Sequence, residues 1–309
     1  MPEDVVLVKD FRKVYGDTVA VDGISFTVQR GEIFGLLGPN GAGKTTTMES
    51  LEGLRQPSSG SLGILGIDPT RQSKTLHNLM GVQLQSSSLP GSMTPHEAMD
   101  FFCAYHKVTP RYDLLDRLGL GDKLAVQFST LSAGLQRRLA LSLAIAHDPP
   151  LVLLDEPTAG LDVSSRVVLH EVMHELQAKG TTIILATHDM AEAEKMADRV
   201  AILLKGKIAA TGSPTQLTAT GGGLVKISVS SDASSLFQNT GVFPAVSQQI
   251  IKDVYMVYYS HDAGETVPAV LDYLKAQQDH LIDLRVERPS LEDRFLEITQ
   301  PDHSNGAIL

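Results

Sequence analysis

The chain has one cysteine, Cys103, so no disulfide can form within it and a reducing compartment is expected. It also lacks any apolar run near the ~20 residues that cross a bilayer. The longest candidates, 139–146 and 181–186, read as core elements. Met1-Pro2-Glu3-Asp4 is acidic and has no signal-peptide core, so a membrane role would have to come through a partner. Positive charge is in deficit: 26 basic against 36 acidic residues leave a net charge of −10. That balance gives no general attraction to nucleic acid or anionic lipid, and no nucleic-acid partner is expected. The 42% hydrophobic and 20% charged fractions are those of an ordinary globular protein, and 309 residues suffice for one large domain and a smaller one.

The chain is organised around Gly38-Pro39-Asn40-Gly41-Ala42-Gly43-Lys44-Thr45, followed by Thr46 and Thr47. Before it, Glu32-Ile33-Phe34-Gly35-Leu36-Leu37 reads as a buried strand. After it, Met48, Leu51 and Leu54 have helical spacing. Strand, glycine-rich loop and helix are the context a P-loop needs. Glycines let backbone N–H groups turn inward around polyphosphate oxygens, and the helix adds the positive end of its dipole. Lys44 would reach the outer phosphates, and the Thr45 hydroxyl would ligate Mg²⁺. The spacing predicts a site for a nucleoside triphosphate.

Residues 5–10 and 24–30 read as strands joined by a turn at Tyr15-Gly16-Asp17. A short strand is expected at 61–65 and another at 78–85. Thr94-Pro95-His96-Glu97 is a helix start with a capping box, opening a mostly helical stretch to about 128. Leu135, Leu139, Leu143 and Ala146 mark a helix over 134–147, and 151–154, 182–186 and 200–204 read as buried strands. Strands alternating with helices argue a mostly parallel α/β sheet. Thr218-Ala219-Thr220-Gly221-Gly222-Gly223 is the clearest linker, so 1–217 is one domain with a helical subdomain over about 86–147. Beyond 218–223, strands at 224–230, 245–251, 253–260 and 281–287 with helices at 232–239 and 265–278 give βαββαβ. This suggests a small α+β ferredoxin-like domain over 224–300, ahead of a frayed tail at 301–309. Ser290 caps a last helix, 290–299, against Asp293.

Leu151-Val152-Leu153-Leu154-Asp155-Glu156-Pro157 is the second constellation. A carboxylate ending a buried strand beside a P-loop holds Mg²⁺, which assigns Asp155; Glu156, one residue further out, can polarise an attacking water as general base.

With both constellations in hand, residues 5 to about 217 resemble the ATP-binding subunit of an ABC transporter. Leu131-Ser132-Ala133-Gly134-Leu135 stands where that family has its Leu-Ser-Gly-Gly-Gln signature, and His188 at its switch histidine. Gln85 stands at the Q-loop glutamine, with Gln83 a weaker rival. Tyr15 stands at the aromatic that stacks on adenine, and Ala159-Gly160-Leu161-Asp162 at the D-loop.

The resemblance implies a P-loop ABC cassette with a mostly parallel core, an antiparallel β subdomain and a helical subdomain. Its cofactors would be ATP and Mg²⁺. Nucleotide contacts fall to Tyr15, Gly38, Pro39, Asn40, Gly41, Ala42, Gly43, Lys44, Thr45, Thr46, Gln85, Ser132, Gly134 and Asp162. Thr45, Gln85 and Asp155 fall at the metal, and Glu156, His188 and Lys44 at catalysis. It further implies an ATP-sandwich dimer in which Ser132 and Gly134 serve the other copy's nucleotide. A separately encoded membrane permease would dock near 85–99, holding the protein at the cytoplasmic face of the membrane.

Two positions depart from the signature. Ala133 adds a methyl where backbone approaches phosphate, and Leu135 replaces a polar side chain, so slower turnover is expected. Arg137 and Arg138 read as solvated helix-face charges outside the site. Pro289-Ser290-Leu291-Glu292-Asp293-Arg294-Phe295-Leu296 resembles the closing motif of bacterial drug-resistance and ABC-2-type exporter ATPases, which carry a small C-terminal domain. A soluble cassette acting on ribosomes or nucleic acid is the alternative. It is disfavoured by the single cassette, the absence of heptads and the acidic balance. A P-loop kinase would leave 131–135 and His188 without a role.

Overall fold

The computed structural model describes residues 3–85, 89–219, 224–239, 241–287 and 289–299. The chain forms two compact units that divide between Ser213 and Pro214.

In the first unit the strands are β1 (Asp4–Tyr15), β2 (Thr18–Gln29), β3 (Ile33–Leu37), β4 (Ser59–Ile64), β5 (Met80–Gln83), β6 (Leu151–Asp155), β7 (Thr182–Thr187), β8 (Arg199–Leu204) and β9 (Lys207–Gly212). The helices are α1 (Lys44–Leu51), α2 (Ser73–His77), α3 (Pro95–His106), α4 (Tyr112–Arg117), α5 (Ala133–Ile145), α6 (Val163–Ala178) and α7 (Met190–Met196). A six-stranded sheet runs in the order β5-β6-β7-β3-β8-β9, parallel except for the antiparallel pair β8–β9. Every residue of β3, β6 and β7 is buried, the signature of strands covered on both faces. That is why these segments read as unbroken apolar runs rather than alternating ones. A separate antiparallel sheet, β2-β1-β4, closes through a turn at Gly16 and Asp17 and shares a core with the first.

Between β5 and β6 lies the helical subdomain. Met99, Cys103, Leu115, Phe128, Leu139 and Leu143 form its own core. Cys103 is buried there, and burial raises its thiol pKa. Thr94 and Glu97 complete the expected capping box of α3. The subdomain is seated closely on the sheet: a side chain at Gly81 of β5 would lie 2.1 Å from the Ala144 carbonyl of α5, so only glycine fits.

The second unit contains α8 (Pro214–Ala219), β10 (Val225–Ser231), β11 (Val246–Lys252), β12 (Tyr255–Ser260), α9 (Ala263–Ala276), β13 (Leu281–Glu287) and α10 (Leu291–Thr299). Helix α8 thus spans the last residues assigned to the cassette and the first two of the expected linker, whose remainder, 220–223, lies outside the described residues. The loop 86–88 and the tail 301–309 lie outside them too.

Strands β10 to β13 form an antiparallel sheet in the order β11-β12-β10-β13, backed by Val270 and Leu274 of α9. The helix expected at 232–239 is not formed; a single 3₁₀ turn, Ser235–Gln238, stands in its place. The reason is local. The Asp279 carboxylate accepts the backbone N–H groups of Ala233 and Ser235 and the Ser231 hydroxyl, while Ser234 sits at φ 53°. Those bonds hold the chain in a turn and compete with helical pairing. The ferredoxin-like pattern therefore lacks one of its two helices.

Helix α10 starts as expected, with Ser290 and Asp293 exchanging hydrogen bonds. Asp293 also accepts from Tyr259 of β12 and Lys226 of β10, tying the closing motif to the sheet. Burial would raise its pKa, but the Tyr259 hydroxyl, Ser290 and Lys226 outweigh it and hold the carboxyl below its usual range.

Candidate active site

The order β6-β7-β3 places three carboxyl ends side by side, and each carries chemistry. The phosphate loop follows β3, Asp155 and Glu156 close β6, and His188 follows β7. Ligand sites in open α/β sheets form at such a crevice.

The loop needs its glycines. Gly38 has φ 152°, and a side chain there would come within 2.3 Å of the Leu203 carbonyl at the end of β8. Lys44 is 6% exposed; its Nζ donates to the Gly38 carbonyl at 2.6 Å and the Pro39 carbonyl at 3.3 Å. It lies 3.7 Å from Glu156 Oε1. Burial lowers its pKa, and the charges of Glu156 and Asp155 offset this in part.

Thr45 Oγ1 donates to Asp155 Oδ2 at 3.1 Å, while Asp155 Oδ1 is buried without a partner among the described residues. Burial raises the Asp155 pKa, opposed by the Thr45 hydroxyl. A buried carboxylate oxygen left unpaired beside a threonine hydroxyl fits a hard divalent cation, which takes oxygen ligands.

Glu156 adopts φ 52°, rare for a residue with a side chain and the kind of strain that collects at functional sites. Its N–H bonds the Ala186 carbonyl at 2.8 Å. Its Oε2 lies 2.7 Å from His188 Nδ1, which sits at the exposed mouth of the crevice. A carboxylate held between a buried ammonium and an imidazole can take a proton from water and pass it on.

The other expected residues fall into three groups. Tyr15 ends β1 half-exposed, with the Lys13 ammonium 5.0 Å from its ring centroid, leaving a face for stacking. Ser132 is the N-cap of α5: its Oγ accepts from the Leu135 N–H at 3.3 Å, and the residue is exposed. Gly134 lies against Leu161, and a side chain there would meet Leu161 Cδ2 at 3.2 Å. Of the two signature departures, Ala133 is exposed and Leu135 packs on the helical-subdomain core. Leu135 therefore has a structural use that glutamine could not serve.

The sequence reading of Arg137 needs correction, and the structure adds detail at Asp162 and Gln85. The Asp162 carboxylate is taken up by capping α6, accepting from the Ser165 N–H and the hydroxyls of Ser164 and Ser165. These bonds hold its pKa far below the usual range.

Gln85 is exposed just past β5, whereas Gln83 is 1% exposed with both amide atoms unpartnered among the described residues. Of the two glutamines, Gln85 is exposed and Gln83 is buried.

Arg137 is not a solvated charge. Its guanidinium donates to the Glu156 carbonyl and, at 3.5 Å, to the Gln85 carbonyl. It joins the signature helix, the general-base candidate and the Q-loop. Arg138 is likewise half-buried, with Nε unpartnered among the described residues and its guanidinium against Gly119.

Comparison with known proteins agrees with this geometry. The family model described as ABC transporter matches residues 21–159. A Nod factor export ATP-binding protein I of Burkholderia lata is 34% identical over 94% of this chain and 96% of its own length. The chain belongs to the ABC transporter ATP-binding proteins. The linearmycin resistance ATP-binding protein LnrL of Bacillus subtilis is 30% identical over 94% of this chain and 97% of its own. Among solved structures, an ATP-binding subunit of an ABC transporter superposes with a TM-score of 0.67 at 29% identity, over 71% of this chain and 94% of the other. As a member of this family the chain is an ATPase that powers transport. Among the described residues, no helix is long and apolar enough to cross a membrane.

Proposed function

We propose that this chain is the ATP-hydrolysing motor of a membrane exporter and that its two active sites are each shared between two copies. Export is the activity named for the Burkholderia relative, and resistance for the Bacillus one. The observation that carries the catalytic reading is the Lys44–Glu156–His188 chain at the ends of three adjacent strands.

In this reading Tyr15 stacks on the base. The loop from Gly38 to Thr46 cradles the phosphates, and Lys44 stabilises charge that develops on the outermost one. Thr45 and Asp155 would hold Mg²⁺, with Gln85 reaching it from the loop; the ion supplies charge neutralisation at the phosphates. Glu156 takes the proton of the attacking water, and His188 orients it. Arg137 positions Glu156 through its carbonyl. Ser132 and Gly134 at the N-terminus of α5 meet the terminal phosphate held by the other copy.

The membrane permease, separately encoded, docks on the surface near 85–99 and holds the protein at the cytoplasmic face of the membrane. The C-terminal unit, 224–300, acts as an accessory domain of the dimer. None of the observations favours action on ribosomes or nucleic acid.

Light scattering of Glu156→Gln with and without Mg-ATP tests this reading. The substitution leaves the nucleotide bound but unhydrolysed, so ATP should convert monomer to dimer. A protein that stays monomeric at saturating ATP would overturn the shared-site reading.

A further inference from the structure

A groove of about 710 Å³ opens between β5, α3 and α5. Its rim is apolar and exposed: Leu54, Leu84, Phe101 and Tyr105, the last two four residues apart on one face of α3. Its floor is polar. Glu52, at the C-terminus of α1, is 4% exposed, and its carboxyl makes no hydrogen bond or ion pair among the described residues. The buried Gln83 amide, which also lines the groove, is unpartnered among the described residues, as are both ring nitrogens of His147, which stacks on His106 at 3.8 Å.

The electrostatics of this floor are one-sided. Burial, with the like charges of Glu49 and Asp155, pushes Glu52 up to about 8. Burial pushes His147 down to about 4, so it brings no positive charge at neutral pH. Among the described residues, no lysine or arginine lines the groove. A buried acid without a cation is a cost that a binding partner can remove.

We propose that Glu52 is the specificity residue of this groove and that it selects a partner helix carrying a lysine or arginine that reaches the floor. This rests on the reading that the chain docks a membrane subunit. The ammonium or guanidinium restores the ionised carboxylate and pairs with it, while its aliphatic stem lies across Phe101 and Tyr105. A permease helix with a neutral or acidic residue at that position leaves Glu52 unpaired or repelled. The groove thereby rejects wrong subunits as well as accepting the right one.

Three synthetic amphipathic helical peptides, identical but for a central Lys, Gln or Glu on the apolar face, would be titrated calorimetrically into the full-length protein. The Lys peptide should bind at least about tenfold more tightly than the Gln peptide, the scale of one desolvated charge pair, and the Glu peptide least tightly. Glu52→Gln, isosteric with the protonated carboxyl and checked for an unchanged melting temperature, should bind Lys and Gln peptides equally. Equal binding to the wild type, or a Lys preference that survives Glu52→Gln, overturns the role of Glu52. If no peptide binds while ATP hydrolysis is normal, the docking reading itself fails and the proposal with it.

Discussion

The two halves of the nucleotide site differ within one chain. On the phosphate-loop side, Lys44, Asp155 and Glu156 are buried; Lys44 pairs with Glu156, Thr45 bonds Asp155 and His188 bonds Glu156. On the signature side, Ser132 is exposed and, among the described residues, its hydroxyl is bonded only within its own helix turn. The first half is preorganised within one copy. The second is an exposed helix N-terminus, the arrangement that the proposed sharing between two copies requires.

The most severe way to break the first half is Lys44→Ala. Removing a preorganised charge from a buried site should cost roughly 10³-fold in hydrolysis, read as phosphate release. Glu156→Gln should lose roughly 10²- to 10³-fold while ATP binding, measured by a fluorescent nucleotide, is retained. Arg137→Met sharpens the comparison, because Arg137 ties the signature helix to the buried half. It should lower kcat about tenfold with KM for ATP little changed, and Arg137→Lys should recover part of the loss.

Asp293→Ala probes a region without catalytic groups. Loss of its bonds to Tyr259, Lys226 and Ser290 should destabilise the C-terminal unit by about 2–3 kcal/mol, seen by urea unfolding, with the ATPase rate of the folded protein unchanged. Because the folded pKa of Asp293 is lowered, its contribution is full above the unfolded value near 3.8 and is lost as pH falls through the lower folded value. The wild-type unit should therefore lose stability below about pH 4, and the variant should lose less.

The preorganised half was legible in the sequence because each part is a contiguous motif on a buried parallel strand. Glycine, lysine and carboxylate positions are dictated locally there, and the uniform burial of β3, β6 and β7 makes the strands plain. Arg137 was not legible. Its partners are main-chain carbonyls at the ends of β5 and β6, and an arginine on a helix face looks the same whether it meets solvent or backbone.

Gln83 and Gln85 could not be separated by pattern, since residues two apart on a strand share a face. The strand ends at Gln83, burying one side chain and exposing the other. The turn at 235–238 was hidden for a different reason: Asp279, which holds it, is more than 40 residues away.

Mixing two inactive variants tests the shared site most directly. Lys44→Ala and Ser132→Arg are each expected to be inactive alone. A dimer of one with the other holds one site with an intact phosphate loop opposite an intact signature. Equal mixing should then restore about a quarter of wild-type activity, half the dimers being mixed with one working site each. If the mixture shows no more activity than the two variants measured separately, the half-sites do not combine across copies and the account is wrong.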